Sequence, residues 1–211
     1  MNEEKSNTRL PLQHIPSGWS ARDLPDLSGQ RFLITGATSG IGKEAARELV
    51  RAGAQVTITA RSEEKAERTR KELASERVST LLLDLADLTS VRKAAREVTN
   101  EVDVLILNAG VMAVPFTKTA DDFELQVGTN HLGHFAFAGL IADRVKSRIV
   151  TVSSQAHRMG SFGNGSSDDI RDICLGRNKY QTWAAYGASK LANLLFTFEL
   201  QRLVTSRSYS F

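Results

Sequence analysis

Thr35-Gly36-Ala37-Thr38-Ser39-Gly40-Ile41-Gly42 lies between a short apolar run, Arg31 to Thr35, and an amphipathic run, Gly42 to Ala52. A strand that feeds a helix through three glycines can hold a phosphate. Residues without a Cβ let the backbone turn tightly and approach a pyrophosphate closely. The helix that follows aims free amides and the positive end of its dipole at the same place. The spacing, Gly-x-x-x-Gly-x-Gly, differs by one residue from the Gly-x-Gly-x-x-Gly dinucleotide fingerprint. Its place at a strand-to-helix junction gives it weight. An ordinary glycine-rich turn is the alternative. No Gly-Lys-Ser/Thr follows, so this is not the phosphate loop of a nucleoside triphosphatase.

Outward from the loop, strands and helices alternate. Gln55 to Thr59, Val78 to Leu83, Val102 to Leu107 and Arg148 to Val152 are further short apolar runs. Between them lie helical patterns at Glu63 to Ser75 and Thr89 to Thr99, and a long one over 120–146 that is reshaped near Gly128 to Gly133. Trp183 to Val204 forms a last long helix. Strands rich in Val, Ile and Leu, separated by helices, imply a parallel sheet buried on both faces. Right-handed crossovers then give an α/β, doubly wound sheet of about five strands. Residues 1–30 read as an N-terminal arm broken by Pro11, Pro16 and Pro25, which Leu10, Leu12, Ile15 and Trp19 could pin to the domain. Ser28-Gly29 is the turn before the first strand. The domain spans 31–204, and 205–211 is a tail. The stretch 160–169 (GSFGNGSSDD) reads as a mobile loop.

The chain has 211 residues, 41% of them apolar, enough for one domain with a sizeable core. Its net charge of +3 comes from basic residues interleaved with acids, which gives no stripe for nucleic acid. The single cysteine, Cys174, excludes an internal disulfide and a multi-cysteine zinc site, and suits the reducing cytoplasm. No signal-peptide core follows the polar N-terminus, and no apolar stretch is long enough to span a bilayer.

Two features carry chemistry. Tyr186 and Lys190, in Tyr186-Gly187-Ala188-Ser189-Lys190, fall on one face of a helix. A phenol ordinarily titrates at about 10. A neighbouring ammonium favours the phenolate, so such a pair is expected to exchange a proton near neutral pH. Strand two should present a residue to an adenosine ribose, and an acid there would bind the 2′-hydroxyl of NAD. This chain has Ala60 and Arg61, with no acid before Glu63. An arginine suits a 2′-phosphate, so NADP is the expected cofactor, with NAD still open. A solvated arginine at a helix start is the alternative. Tyr180 lacks a lysine four residues on, and packing is at least as good an account of it. His131, His134 and His157 have no further His or Cys cluster to complete a coordination shell, so packing or hydrogen bonding is expected and no metal. Asp121-Asp122 reads as a charged helix start, and Glu63 to Lys71 as a solvated face.

With these residues in place, the chain resembles the short-chain dehydrogenase/reductase family over about residues 28–205. TGATSGIG matches its cofactor loop. Asn108-Ala109-Gly110 matches its Asn-Ala-Gly after strand four, and Asn130 in TNHLGHF its active-site Asn. Ser153-Ser154 matches its Ser motif, and YGASK its Tyr-Lys motif. TNHLGHF and SKLANLLF are similar to the retinol-dehydrogenase-like branch. The resemblance implies a Rossmann-type fold and hydride transfer between NADP(H) and an alcohol or carbonyl. It implies that Tyr186 is the general acid or base and that Lys190 supports it and binds the nicotinamide ribose. Ser154 would polarise the substrate oxygen, with Ser153 structural, and Asn130 would hold a relay water near Lys190. Gly36, Thr38, Ser39, Gly40, Ile41 and Gly42 would line the pyrophosphate. Asp84, with Leu85 beside it, would meet the adenine. Asn108 would support the sheet, with Ala109 and Gly110 beside the cofactor. The thirty-one residues between Ser154 and Tyr186 would face the substrate or form a lid, with a surface insertion as the alternative.

The family continues after this last helix with two more strands and a turn that meets the nicotinamide. Thr205 to Phe211 resembles none of this, so the last strands of the family fold are expected to be missing and catalysis to be impaired. A non-catalytic cofactor- or partner-binding module is therefore a second reading, and a sugar-nucleotide epimerase, whose glycine spacing fits worse, a third. The resemblance also makes a homodimer through the helices at 120–146 and 183–204 an expectation, beside a monomer.

Overall fold

A computed structural model describes residues 17–177 and 179–206. Its elements are β1 (Arg31–Ile34), α1 (Gly40–Arg51), β2 (Gln55–Ala60), α2 (Glu63–Leu73), β3 (Val78–Leu82), α3 (Leu88–Glu97) and β4 (Val102–Leu107). After these come α4 (Leu125–Val127), α5 (Gly133–Ile141), β5 (Val145–Thr151), α6 (Ser167–Leu175) and α7 (Thr182–Ser206). All five strands are parallel, in the order β3-β2-β1-β4-β5. The order reverses between β1 and β4, which opens a crevice at their carboxyl ends.

The period-two alternation of strands explains the two layers. Leu33 of β1, with Leu105 and Leu107 of β4, enters one core with Val91 and Ala94 of α3 and Phe137 and Ile141 of α5. Phe32 and Ile34 enter the other, with Ala46, Leu49 and Val50 of α1. Burying a Leu, Ile or Phe side chain contributes about 1.5–3 kcal/mol, so these two layers dominate the stability. Side chains fix the helix starts. Ser62 Oγ accepts from Lys65 N at 3.4 Å at the head of α2, and Asp87 Oδ1 from Thr89 N at 2.7 Å at the head of α3. The charges of α2 pair along its surface, as in Arg70–Glu67 at 2.8 Å, and contribute little.

Three expectations change, and one takes a definite form. Residues 120–124 do not start a helix. Asp121 accepts from Leu88 N at 2.8 Å, and Asp122 has φ +65°. Glu124 caps instead, its carboxylate accepting from Gln126 N and Val127 N at 2.9 and 2.8 Å. The reshaping expected near Gly128 is a π-helical turn over Gly128–Leu132, between α4 and α5. The helix ends at Ile141, and β5 begins at Val145, paired with Val102 across an irregularity before Val104. The expected loop at 160–169 is irregular only as far as Ser166. Ser166 Oγ accepts from Asp169 N at 3.1 Å and starts α6. Of the arm, residues 1–16, with Leu10, Leu12 and Ile15, lie outside the described residues, as does 207–211 of the tail. Trp19 is half exposed, whereas Leu27 is buried in the core. Among the described residues no helix is long and apolar enough to cross a membrane, and β3 and β5 form the edges of the sheet.

Candidate active site

The crevice at the carboxyl ends of the strands has a volume of about 500 Å³ and collects the glycine loop, Arg61, Asp84-Leu85 and Asn108-Ala109-Gly110. Its floor requires glycine. Gly36 has φ +67°, and a Cβ there would lie 2.7 Å from Ala109 Cα. A Cβ on Gly42 would collide with the Asn108 amide. That amide instead donates to Thr35 O at 2.9 Å and Gly36 O at 3.3 Å, tying the loop to the end of β4. Ser39, at the head of α1, makes no side-chain cap bond. The first-turn amides of α1 therefore face the crevice beside Thr38, Gly40 and Ile41.

The far wall comes from strand ends and helix starts. Asp84 donates from its backbone N–H to Ser90 Oγ at 2.9 Å, and its carboxylate accepts from Ala86 N at 2.9 Å. Leu85 is buried beneath it. Arg61 is exposed on the rim with Lys65. Lys65 escaped the sequence reading, although its place one helical turn after Arg61 could have revealed it. Thr129 Oγ1 is buried, lacks a protein partner and belongs to a residue lining the crevice. A cradle that a Cβ would fill, uncapped helix amides, two basic side chains at the rim and an orphaned hydroxyl together fit a dinucleotide.

The chemistry-bearing residues close the other end. Lys190 Nζ donates to Val152 O at 3.1 Å and lies 5.7 Å from the centroid of the Tyr186 ring. Burial pushes the Lys190 pKa down. The position of a Cβ on Gly110 would be 3.0 Å from Asn130 Oδ1 and 3.6 Å from Lys190 Nζ, so all three meet. The Asn130 side chain grips the backbone of Val111, accepting from its N at 2.8 Å and donating to its O at 2.9 Å, and also donates to Ser189 Oγ at 2.9 Å. Its side-chain amide is thus committed to structure, and its backbone carbonyl, which meets His134 Nδ1 at 2.9 Å, keeps a second lone pair that can serve a water. Ser154 Oγ accepts from Ala156 N at 3.2 Å, at the head of a 3₁₀ helix (Gln155–Met159) packed on α7, and keeps its own proton free. Ser153 Oγ donates to Lys190 O at 2.8 Å and fixes α7 to β5.

Behind Tyr186, Gln126 is fully buried and saturated. It accepts from Ala113 N at 2.8 Å and donates to Tyr180 Oη at 2.8 Å and Thr182 O at 2.9 Å. Tyr180 Oη lies 2.9 Å from Val114 O and 3.1 Å from Glu124 Oε1. These residues set the start of α7 against the segment after Gly110, and no spacing signal in the sequence announced them. Burial, together with Glu124, raises the pKa of Tyr180. Of the histidines, His131 Nδ1 meets Asn193 Oδ1 at 3.2 Å, and His157 Nδ1 donates to Ser154 O at 2.7 Å.

The short chain dehydrogenase family model matches residues 30–166. The chain is 41% identical over 202 residues to human retinol dehydrogenase 13, a match that covers 90% of this chain and 59% of that protein. It is 44% identical over 185 residues to a probable oxidoreductase of Streptomyces lividans, covering 84% and 60%. Among solved structures it is similar to an uncharacterised protein of Mycobacterium paratuberculosis at 46% identity and a TM-score of 0.84, covering 92% of this chain and 69% of that one. The chain therefore spans about three-fifths of the length of the curated relatives it matches.

Proposed function

The chain belongs to the short chain dehydrogenase family, in its retinol-dehydrogenase-like branch, and we propose that it transfers a hydride between NADP(H) and an apolar alcohol or carbonyl. The observation that carries this reading is the meeting of Lys190, Asn130 and Gly110 at the crevice, with Tyr186 beside them. Gly36, Thr38, Ser39, Gly40, Ile41 and Gly42 would hold the pyrophosphate, Arg61 and Lys65 the 2′-phosphate, and Asp84 and Leu85 the adenine. When bound, the dinucleotide supplies or accepts the hydride.

In the direction of reduction, the Ser154 hydroxyl donates to the substrate oxygen, which as a carbonyl can only accept, while one of its own lone pairs is engaged by Ala156 N. Charge grows on that oxygen as it becomes an alkoxide, and a donor aimed there stabilises the transition state. Tyr186 delivers the proton, a role of about 10²–10⁴-fold in rate. Lys190 keeps N–H donors beyond the one given to Val152 O, and can steady the ribose and pass protons from a water on the Asn130 carbonyl. Trp183, half exposed, lies edge-on to Tyr186 with ring centroids 6.1 Å apart. Met112, next to the clasped Val111, and Met159, at the end of the 3₁₀ helix, are exposed as well. An apolar rim of this kind favours a substrate with a long hydrocarbon body. Relatives named retinol dehydrogenase make retinoid aldehydes the first substrates to try. The single Cys174 fits a reducing compartment, and we place the protein in the cytoplasm.

The test is a titration of the purified chain with NADPH and NADH, followed by nicotinamide absorbance with a panel of aliphatic, aromatic and retinoid aldehydes. Preferential NADPH binding with turnover that disappears in Tyr186→Phe supports the proposal. Turnover that survives in Tyr186→Phe overturns the proton-transfer role. Binding of NADPH without turnover on any carbonyl favours the non-catalytic module.

A further inference from the structure

One buried ring between the glycine loop and the catalytic turn has no part in that reaction. His134 is almost wholly buried at the start of α5. Its Nδ1 lies 2.9 Å from Asn130 O and its Nε2 lies 2.7 Å from Thr35 Oγ1. A carbonyl can only accept, so Nδ1 carries the proton and Nε2 is bare. Thr35 Oγ1 already accepts from Asn108 N at 2.9 Å and Ala109 N at 3.0 Å, and its one proton goes to His134 Nε2 at 2.7 Å rather than to the more distant Ile106 O at 3.4 Å. Both ring nitrogens and the whole hydroxyl are thus used. The chain of bonds joins the residue before Gly36, the start of Asn108-Ala109-Gly110, and the carbonyl of Asn130.

We infer that His134 is a positioning residue, a neutral latch that holds the glycine loop and the Asn130 carbonyl in one register. The inference rests on the dinucleotide reading above. Burial keeps the ring neutral against the opposing pull of the Asn130 carbonyl. Lys190 of α7 and His131 of the preceding turn are the charged or titratable groups that act on it, and both oppose a second proton. A charged ring would also turn an N–H toward Thr35 and break that bond. Displacing the ring frees Thr35, which bears on the loop, and the Asn130 carbonyl, which bears on the proton path.

Two substitutions separate these arms. His134→Asn keeps a donor near the Asn130 carbonyl but cannot reach Thr35. His134→Gln extends an acceptor toward Thr35 and leaves the carbonyl. NADPH titration and kcat at saturating NADPH are measured on both. The loss in His134→Asn should fall on the NADPH Kd, by about tenfold for one buried hydrogen bond. The loss in His134→Gln should fall on kcat, by a similar factor. Thr35→Ser, which keeps the hydroxyl, should restore wild-type affinity where Thr35→Val loses it. In the wild type, ring ¹⁵N–¹H correlations should show Nδ1 protonated and Nε2 bare down to about pH 5. Equal losses in both His134 variants, no losses, or an Nε2-protonated ring would each overturn the latch. A wild type that binds neither dinucleotide refutes the proposed function, and the ring tautomer still decides the latch.

Discussion

Acidification from pH 7 toward 4.5 should destabilise this chain through His134. Burial, opposed by the bond to Asn130 and reinforced by Lys190 and His131, moves the ring's pKa from 6.5 to about 4. As the pH falls through 6.5 the unfolded chain takes up a proton on this imidazole, while the folded chain does not until about 4. The unfolded state thus binds more protons across the window, and stability falls with pH. The contribution is fully present above 6.5 and lost by about 4. At about 1.36 kcal/mol per unit, the shift amounts to about 3 kcal/mol. His131, also pushed down by burial, adds a smaller slope of the same sign. The depressed carboxylates Asp26, Glu44, Glu67, Glu72 and Glu199 start from 3.8 or 4.5 and act below this window. They are exposed, and their effect is small. The assay is urea unfolding followed by tryptophan fluorescence at stepped pH, for the wild type and His134→Asn. The variant should lose most of the slope between pH 6.5 and 4.5. Parallel curves for the two proteins would refute the reasoning.

Lys190→Met should abolish turnover yet stabilise the cofactor-free chain by about 1 kcal/mol, because it removes a buried cation. Val152 O stays bonded to Asn193 Nδ2 at 3.2 Å. Thermal denaturation checks this, and a drop in Tm would contradict it. Arg61→Ala should weaken NADPH about tenfold and NADH hardly at all, the loss expected for one charge-assisted phosphate contact. Parallel fluorescence titrations decide it, and equal losses for both would mean that the side chain is simply solvated. Gly36→Ala forces a left-handed φ of +67° and a clash with Ala109. It should destabilise by about 1–3 kcal/mol, and a urea midpoint equal to wild type would show that the loop relaxes.

The layered sheet was legible because strand and helix periods write themselves locally. Leu33 and Leu105 alternate with Ile34 and Ile106, and α1 carries its apolar stripe on Ala46, Leu49 and Val50. The glycine loop, Asn108 and the Tyr186–Lys190 pair were legible because their chemistry restricts residue type. Residues 120–124 were not, since two aspartates suit a helix start as well as the turn they form, where Asp121 is bonded to Leu88 some thirty residues away in sequence. The start of α6 was hidden in Gly-Ser-Ser-Asp-Asp, a composition that suits both a loop and the Ser166 cap that forms there. Gln126 and Glu124 carried no signal at all, and Tyr180 could be read only as a packing residue. The bonds of Gln126 and Glu124 to Tyr180 span 54 and 56 residues, and only the folded chain brings them together.

That contrast bears on how the site holds its geometry. The two cores set the layers, and apolar packing tolerates repacking at modest cost. The crevice is joined instead by single polar bonds between distant segments: Asn108 to Thr35, Asn130 to Val111, Gln126 to Ala113 and Thr182, Ser153 to Lys190. Each joint is partly buried, so losing one partner strands the other at a cost of up to about 1–3 kcal/mol. A substitution among them can therefore leave the sheet intact while shifting Tyr186, Lys190 and the loop relative to one another. Position shifts of about an ångström are enough to cost about a hundredfold in rate. Global stability and site geometry are thus set by different residues in this chain, the first by Leu, Ile, Val and Phe in the two layers, the second by a handful of amides and hydroxyls at the carboxyl ends of the strands.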